Sequence, residues 1–235
     1  MVSSQITAAE DNQITVVTEE WPPYSYIEEG VVKGTSTEIV KASLEQAGLN
    51  YTLDVYPWAR SYKKALAEKN TLIYAIVKTD ERLPLFKWVR PVAPAINTYF
   101  YKLRSRDDVI LTSLEDAKEY VVGTNRESDH HQFLLKNNFP EIEDSNHSEH
   151  SLRMLMLSRV DLVIYGSENI DIEIKKIGES MDKVEKVLLV NTQFPYMAFS
   201  RDSPDDIVIK LTNAYDFLLK SGKIQNLIES SQQEF

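Results

Sequence analysis

Short apolar runs alternate with amphipathic stretches along the first part of the chain. Ile14–Thr18 and 72–77 are rich in apolar and β-branched residues and predict buried strands, while 51–56 alternates as a half-buried strand does. Turn and capping residues at 34–38 predict the start of a helix that runs through Ala47, and a second helix is predicted over 60–69. The resulting β-α-β-α-β order predicts a parallel sheet with helices on its faces.

The same alternation continues in the second half of the chain. In chain order the pattern predicts a strand at 98–103, a short helix capped by Ser113, a strand at 120–123, helices at 129–137 and 151–157, a buried strand at 160–165, a helix at 170–177, and strands at 186–190 and 196–200. A long amphipathic helix is predicted over 205–219, because Pro204 favours a helix start and Gly222 a stop.

The two sets of elements are similar in size, and the last helix has no sheet of its own to pack on. We therefore expect an α/β protein of two lobes, in which lobe one comprises 1–99 and 198–235 and lobe two comprises 103–193. Two strand-like crossings, near 98–103 and 193–200, would form a two-strand hinge. The cleft between the lobes is then the expected binding site.

Composition narrows the class of protein. The 235 residues fit one large domain or two lobes of roughly 100 residues each, and 43% hydrophobic residues are enough for a core. A formal charge of −10 argues against nucleic acid or an anionic membrane as a partner. Cysteine is absent, which excludes disulfides and thiolate metal sites. Residues 1–7 have neither the basic nor the apolar part of a signal peptide and look like a mature N-terminus behind a start methionine.

Candidate binding residues follow the first predicted strands. Arg82 lies just past the strand at 72–77, where its planar fork could bind a carboxylate, and Thr79 could donate a hydroxyl or cap the turn. The alternative for Arg82 is a surface ion pair with Asp80 or Glu81. Trp21 and Tyr24 could offer a stacking platform to a flat or cationic group, or pack into the core.

Further candidates lie at two other strand-to-helix junctions. Trp58 and Arg60 could face the cleft or pack structurally. Asn125, Arg126 and Ser128 precede the helix predicted from residue 129, whose N-terminal amides and the Ser128 hydroxyl could bind an anion.

Other chemistries have weaker support. His147 and His150 have the i, i+3 spacing of a zinc site, but their polar surroundings favour a solvated face, so we predict no metal and no cofactor. No catalytic motif is present, and nothing singles out a carboxylate pair such as Glu20 with Glu168. A binding protein is therefore favoured over an enzyme.

The order and spacing of several of these motifs resemble the periplasmic solute-binding proteins of family 3, which serve polar amino-acid ABC transporters. The similarity runs from about Ile14 to Ile228. The motifs that carry it are Trp21-Pro22-Pro23-Tyr24-Ser25-Tyr26, Gly34-Thr35-Ser36-Thr37-Glu38-Ile39, Thr79-Asp80-Glu81-Arg82 and Val122-Gly123-Thr124-Asn125-Arg126-Glu127-Ser128. The resemblance implies a type II periplasmic-binding fold, or Venus flytrap, with Arg82 and the Ser128 loop holding a ligand carboxylate.

The resemblance also implies partners and a location. We expect a small-molecule ligand, a membrane ABC permease, a monomer and a periplasmic protein. A sensor domain for a signalling partner is the alternative, and a dehydratase-like enzyme comes third.

The chain departs from the family at two positions. Gly166 stands where relatives that bind amino acids usually carry an aspartate for the α-amino group, with Glu168 displaced nearby, and Glu127 stands where they have glycine. We therefore expect non-standard amino acids and other small carboxylates to bind ahead of the standard amino acids. Glu168, Glu20 or the face of Trp21 could substitute for the aspartate.

Overall fold

A computed structural model describes residues 13–231 of the chain. The residues divide into two compact units, the first running to Tyr56, over Arg60–Pro94 and from Pro195 onward, and the second over Pro57–Ala59 and Ala95–Phe194. The predicted N-terminal segment 1–7 and the outer ends of the predicted first lobe lie outside the described residues.

The described residues form twelve strands and eight α-helices. The strands are β1 (Ile14–Thr18), β2 (Tyr26–Glu28), β3 (Val31–Lys33), β4 (Tyr51–Val55), β5 (Thr71–Val77), β6 (Phe86–Pro91), β7 (Ile96–Leu103), β8 (Val122–Asn125), β9 (Ile142–Ser145), β10 (Leu162–Gly166), β11 (Val184–Gln193) and β12 (Pro195–Ser200). The helices are α1 (Thr35–Ala47), α2 (Trp58–Ala67), α3 (Leu114–Ala117), α4 (Asp129–Lys136), α5 (Ser148–Met156), α6 (Ile170–Lys176), α7 (Asp205–Lys220) and α8 (Lys223–Ser231).

The first unit is built on a five-stranded sheet of order β4-β1-β5-β12-β6. β1 is parallel to both β4 and β5, as the β-α-β-α-β pattern predicts. β12 then joins antiparallel to β5, and β6 antiparallel to β12. Both helices of the C-terminal part belong to this unit, where α7 packs on α1.

Helix α1 shows how the sequence determines this packing. Its apolar stripe, which includes Ile39, Val40 and Leu44, is fully buried against the sheet. Gly48 ends the helix in the left-handed conformation, with φ of 59°. Gly34, at its start, has φ of 113°, and a β-carbon there would lie 2.5 Å from the Tyr24 carbonyl oxygen, so the close approach of this turn requires glycine.

The second unit has a five-stranded sheet of order β11-β7-β10-β8-β9. β7 pairs antiparallel with β10 and with β11, and so it is a central strand of this sheet. The residues 98–103, for which the sequence suggested a crossing between lobes, therefore lie within the second unit. The chain changes unit between Pro94 and Ala95, just before these residues, and again at 194–195, within the second predicted crossing, while Pro57–Ala59 also group with the second unit.

The sequence pattern does not predict several elements of the structure. The hairpin of β2 and β3 has only three residues in each strand, β9 is short and polar, and α8 follows α7 after the single turn at Gly222. Such short elements contain too few residues to show a period. Among the described residues, no helix combines the length and apolar character needed to cross a membrane.

Candidate functional site

Arg82 is completely buried in the first unit, with 0% of its surface exposed. Its Nη1 donates to the carbonyl oxygen of Val77, the last residue of β5, at 3.1 Å. The guanidinium carbon lies 5.0 Å from the centroid of the Tyr62 ring on α2, a cation–π contact. The contacts that hold the guanidinium at the end of this buried strand thus include a backbone carbonyl and an aromatic face.

A tight turn places Arg82 there. The backbone N–H of Arg82 lies 3.1 Å from the Thr79 carbonyl oxygen and 3.3 Å from Thr79 Oγ1, so Thr79 caps this turn as the sequence suggests. Arg82 is therefore buried, whereas the surface ion pair considered for it would leave its guanidinium in solvent.

A bulge in β5 shapes the same strand end. Ala75 has φ of 57°, although it lies in the middle of a buried strand. The pairing with β12 shifts there, since Ile76 pairs with Tyr196 and Tyr74 pairs with Met197, which leaves Ala75 as the extra residue. Bulges bend a strand and redirect the residues after it. This one lies two residues before Val77, whose carbonyl holds Arg82.

Trp21 and Tyr24 form a T-shaped aromatic pair after β1, with ring centroids 5.0 Å apart. Tyr24 is only 5% exposed, and its carbonyl oxygen accepts from the N–H groups of Ser36 and Thr37 at the start of α1. Trp21 is partly exposed and packs against the core of the first unit. Trp21 therefore keeps a surface that a ligand could stack on, whereas the Tyr24 ring is mostly covered.

Arg60 and Trp58 differ in their surroundings although both lie in the first turn of α2. Arg60 is exposed, and its guanidinium carbon lies 4.1 Å from the centroid of the Tyr56 ring. Trp58 is 3% exposed and groups with the second unit, where its Nε1 donates to the Glu127 carbonyl oxygen at 2.8 Å. The contacts of Trp58 are those of a packed residue.

Ser128 is the N-cap of α4 in the second unit. Its Oγ accepts from the backbone N–H of His131 at 3.0 Å, and its own N–H donates to the Asn125 carbonyl oxygen at 3.2 Å. Asn125 ends β8 and is partly exposed. The capping bond leaves the Ser128 hydroxyl proton to donate to an acceptor, at the positive end of the helix.

Arg126 is engaged in an ion pair. Its Nε and Nη2 donate to Oδ1 of Asp144 on β9 at 3.1 and 2.7 Å. The guanidinium holds the pKa of Asp144 below its usual range, and the hydrogen bond with Asp144 raises the pKa of Arg126. Because its charge is already matched, Arg126 is a weaker candidate for a ligand anion than Ser128.

Glu127 takes the left-handed conformation, with φ of 57°. Only glycine enters that region at no steric cost, which fits the glycine that the resemblance implies at this position. The backbone of Glu127 is held on both sides, by the Trp58 indole and by the His131 ring.

Gly166, at the end of β10, leaves no room for a larger residue. A β-carbon there would lie 2.8 Å from Cγ2 of Ile96 and 3.1 Å from Oδ1 of Asn169. Glu168 is exposed and accepts a hydrogen bond from Ser167 Oγ at 2.8 Å. In the first unit, Glu20 is exposed and its Oε1 lies 3.4 Å from the backbone N–H of Ile27. Both acids considered as substitutes for an aspartate are thus on exposed side chains.

The sequence pattern does not single out the aromatic residues around Arg82. Tyr62, Phe86, Trp88 and Tyr196 form a row in the first unit, with successive ring centroids 5.8, 5.8 and 5.9 Å apart. Lys78 Nζ lies 5.5 Å from the Trp88 centroid and 5.3 Å from that of Tyr196. The available signal is the alternation of aromatic residues at 86 and 88, but the four rings come from three separate segments.

Two other features lie apart from the predicted site residues. A cavity of about 640 Å³ in the first unit is lined by the β2–β3 hairpin, the start of α1 and Leu227, and contains none of those residues. The His147 and His150 rings pack edge to face, 5.3 Å apart. Within the part of the chain that the structure describes, no group of three or more potential ligands could hold a metal ion.

Comparison with known proteins identifies the fold. The family model described as bacterial extracellular solute-binding proteins, family 3, matches residues 14–231. A comparison with curated proteins finds no match.

Solved structures of this fold include a histidine kinase sensor domain with similarity to periplasmic binding proteins, with a TM-score of 0.82, 16% identity and coverage of 92% of this chain and 95% of that chain. The P235GK mutant of ArgBP from T. maritima has a TM-score of 0.80 and 16% identity, and the match covers 95% of this chain and 96% of that chain. The arginine-, lysine-, histidine-binding protein ArtJ from Geobacillus stearothermophilus has a TM-score of 0.78, 18% identity and coverage of 93% and 94%. At these identities the likeness concerns the fold.

Proposed function

Because the chain belongs to the bacterial extracellular solute-binding proteins of family 3, we propose that it captures a small carboxylate-bearing solute outside the cytoplasm and delivers it to an ABC permease. The protein acts as a carrier in this proposal, and it releases the solute unchanged. The residues proposed to bind the carboxylate are Arg82 in the first unit and Ser128, at the N-terminus of α4, in the second.

The buried guanidinium of Arg82 carries this proposal. A guanidinium shielded from water at the end of a buried strand attracts an anion more strongly than an exposed arginine does. The planar fork suits the two oxygens of a carboxylate. The turn at Thr79 and the bulge at Ala75 fix the backbone on either side of Val77, so the fork is held in one orientation.

The class of solute follows from the surroundings of Gly166. Position 166 has no side chain of its own to pair an ammonium, a carboxylate side chain cannot enter it unless Ile96 moves, and the nearby acid is the exposed Glu168, whose Oε2 lies 3.8 Å from where the β-carbon would be. A buried ammonium without a counter-charge costs several kcal/mol. We therefore expect small organic acids and modified amino acids to bind more tightly than the twenty standard amino acids.

A thermal-shift screen tests the proposal. The protein is heated with each of the twenty standard amino acids and with a panel of small mono- and dicarboxylic acids and N-modified amino acids. A solute at 100 times its Kd stabilises the folded protein by about 2.7 kcal/mol, which raises the melting temperature measurably. We expect the rise with members of the second panel. No shift with any carboxylate would contradict the function, and a large shift with one standard amino acid alone would contradict the solute class.

A sensor role is the second candidate, and the histidine kinase sensor domain of the same fold favours it. In that case solute binding would alter the activity of a signalling partner. The genes beside the coding sequence separate the two roles, because permease and ATPase genes support import and a kinase gene supports sensing. Reconstitution with the neighbouring membrane protein would then show either solute uptake or a change in autophosphorylation.

A further inference from the structure

The ring of His131 holds the loop 126–128 of the second unit. Its Nδ1 accepts a hydrogen bond from the backbone N–H of Glu127 at 3.1 Å. The backbone N–H of His131 donates to Oγ of Ser128 at 3.0 Å. One residue in the first turn of α4 thus contacts two consecutive residues of the loop, and it does so as an acceptor through its ring.

The loop needs such support because Glu127 is strained. A non-glycine residue at φ of 57° is sterically disfavoured, and it persists only where its surroundings hold it. The carbonyl oxygen of Glu127 accepts from Trp58 Nε1, and its N–H donates to His131. Ser128, whose position the proposed function uses, is the next residue.

Only the neutral imidazole can make the ring contact. Neutral histidine has one acceptor nitrogen, whereas both nitrogens of the imidazolium donate, so a proton on Nδ1 would face the N–H of Glu127. On its other edge, His131 Nε2 lies 3.6 Å from Oδ2 of Asp144 on β9. That carboxylate is itself paired with the Arg126 guanidinium, at 2.7 Å from Nη2. Glu127 and Asp129 are the charged neighbours of His131 in the sequence, and the adjacent His130 is a second titratable group at this helix start, with its Nε2 3.5 Å from Oδ2 of Asp129.

We propose that His131 is a positioning residue for Ser128, and that its neutral ring keeps the loop 126–128 in the conformation described here. Uptake of a proton by His131 releases the Glu127 N–H, frees the strained backbone to relax and weakens solute binding through Ser128. The statement about solute binding rests on the proposed function, whereas the dependence of the loop on the ring does not.

Two substitutions distinguish the effect of the hydrogen-bond acceptor at position 131 from the effect of its protonation. His131→Asn places a carbonyl oxygen at the level of Nδ1, so it keeps an acceptor that takes up no proton. His131→Gln places its carbonyl one bond farther out, at the level of Nε2. The Glu127 amide is followed by NMR hydrogen exchange in the full chain, corrected for intrinsic rates, between roughly pH 8 and pH 5, where imidazoles change charge.

In the wild type we expect protection of the Glu127 amide to fall about tenfold toward pH 5, the factor that one net hydrogen bond is worth. His131→Asn should keep its protection at every pH, and His131→Gln should lack it at every pH. His150→Asn is the control, because His150 is exposed and lies outside the loop and α4. In this variant the protection of the Glu127 amide should change with pH as it does in the wild type. Equal pH profiles for wild type and His131→Asn would overturn the proposal.

If a variant fails to fold, the tautomer of His131 in the wild-type protein still tests the proposal. Ring ¹⁵N shifts at pH 8 should show the tautomer with its proton on Nε2, and a proton on Nδ1 would overturn the proposal. Solute affinity is measured on the same samples. A pH-sensitive loop in a protein that binds no carboxylate would uphold the role of His131 and contradict the proposed function. If the protein binds a carboxylate solute and the pH dependence of that binding is the same in His131→Asn as in the wild type, the proposed function is upheld and the role of His131 is contradicted.

Discussion

Arg82 shows how one residue can serve both folding and binding. Removing an ionised group from water costs several kcal/mol, and the Val77 carbonyl and the Tyr62 ring offset part of that cost. The sequence suggests the carboxylate role of this arginine, because it follows an apolar strand on a turn. The sequence does not show its depth of burial, since that depends on α2, which contributes Tyr62, and on the bulge in β5.

We predict that Arg82→Ala lowers the free energy of unfolding by about 2–4 kcal/mol even without solute, because it removes a fully buried side chain and leaves its partners unsatisfied. Urea denaturation measures this. Arg60→Ala is the matched control, since Arg60 also stacks on a tyrosine but is exposed, and it should cost less than about 1 kcal/mol. Equal losses for the two variants would show that burial of Arg82 contributes nothing to stability.

Strand β5 is the element on which the candidate site of the first unit depends. Its apolar run predicts a buried strand correctly, but no pattern reveals that Ala75 adopts a left-handed conformation within it. The bulge arises from pairing with β12, a strand more than a hundred residues later in the chain. Pairings that distant are set by the tertiary structure and leave no local signal.

A pair of substitutions at Ala75 tests the bulge. Ala75→Gly should stabilise the protein slightly or leave it unchanged, because glycine adopts φ of 57° without steric cost. Ala75→Val should destabilise it by about 2 kcal/mol or more, since a β-branched residue resists this conformation and the site is buried. Thermal melting of both variants decides between the bulge and a regular strand, in which valine would be tolerated better than glycine.

Helix α6 of the second unit contains a buried acid. Glu173 is 1% exposed and is bound by Lys176 at 3.1 Å, and burial raises the pKa of its carboxyl group. A carboxyl whose pKa is higher in the folded protein contributes stability that is present below the unfolded-state pKa and is lost as pH rises through the folded-state pKa. At neutral pH the charged form is therefore a net cost to folding.

We predict that Glu173→Gln raises the free energy of unfolding at pH 7, by roughly 1 kcal/mol, a typical size for one substitution. The gain should shrink as pH falls and disappear near pH 4, where the glutamate of the unfolded chain is protonated as well. Denaturation at a series of pH values measures both. Glu143→Gln, at an exposed position on β9, should show no such trend. A stability loss at pH 7 would mean that the Lys176 pair outweighs the desolvation.

At the scale of the whole molecule, the sequence predicts the class of fold well. The parallel core of the first sheet, most of the helices and the family are correct, because each rests on long periodic segments or on motifs in a fixed order. Strand β7 pairs within the second sheet and starts just after the change of unit at 94–95, and the sequence does not show this pairing, because an aromatic strand has the same pattern whether it connects lobes or pairs within one. The roles of Arg82 and Ser128 as ligand contacts stay predictions.

The coupling between Arg82 and the carboxylate of the solute tests the central proposal most directly. Titration calorimetry is carried out with the best solute of the screen and with its methyl ester, on the wild type and on Arg82→Lys, which keeps the charge but not the planar fork. We predict that esterification costs the wild type about 2–5 kcal/mol of binding free energy and costs the folded variant much less, which gives a coupling of about 2 kcal/mol or more. Equal losses in the two proteins would contradict the assignment of Arg82 to the carboxylate.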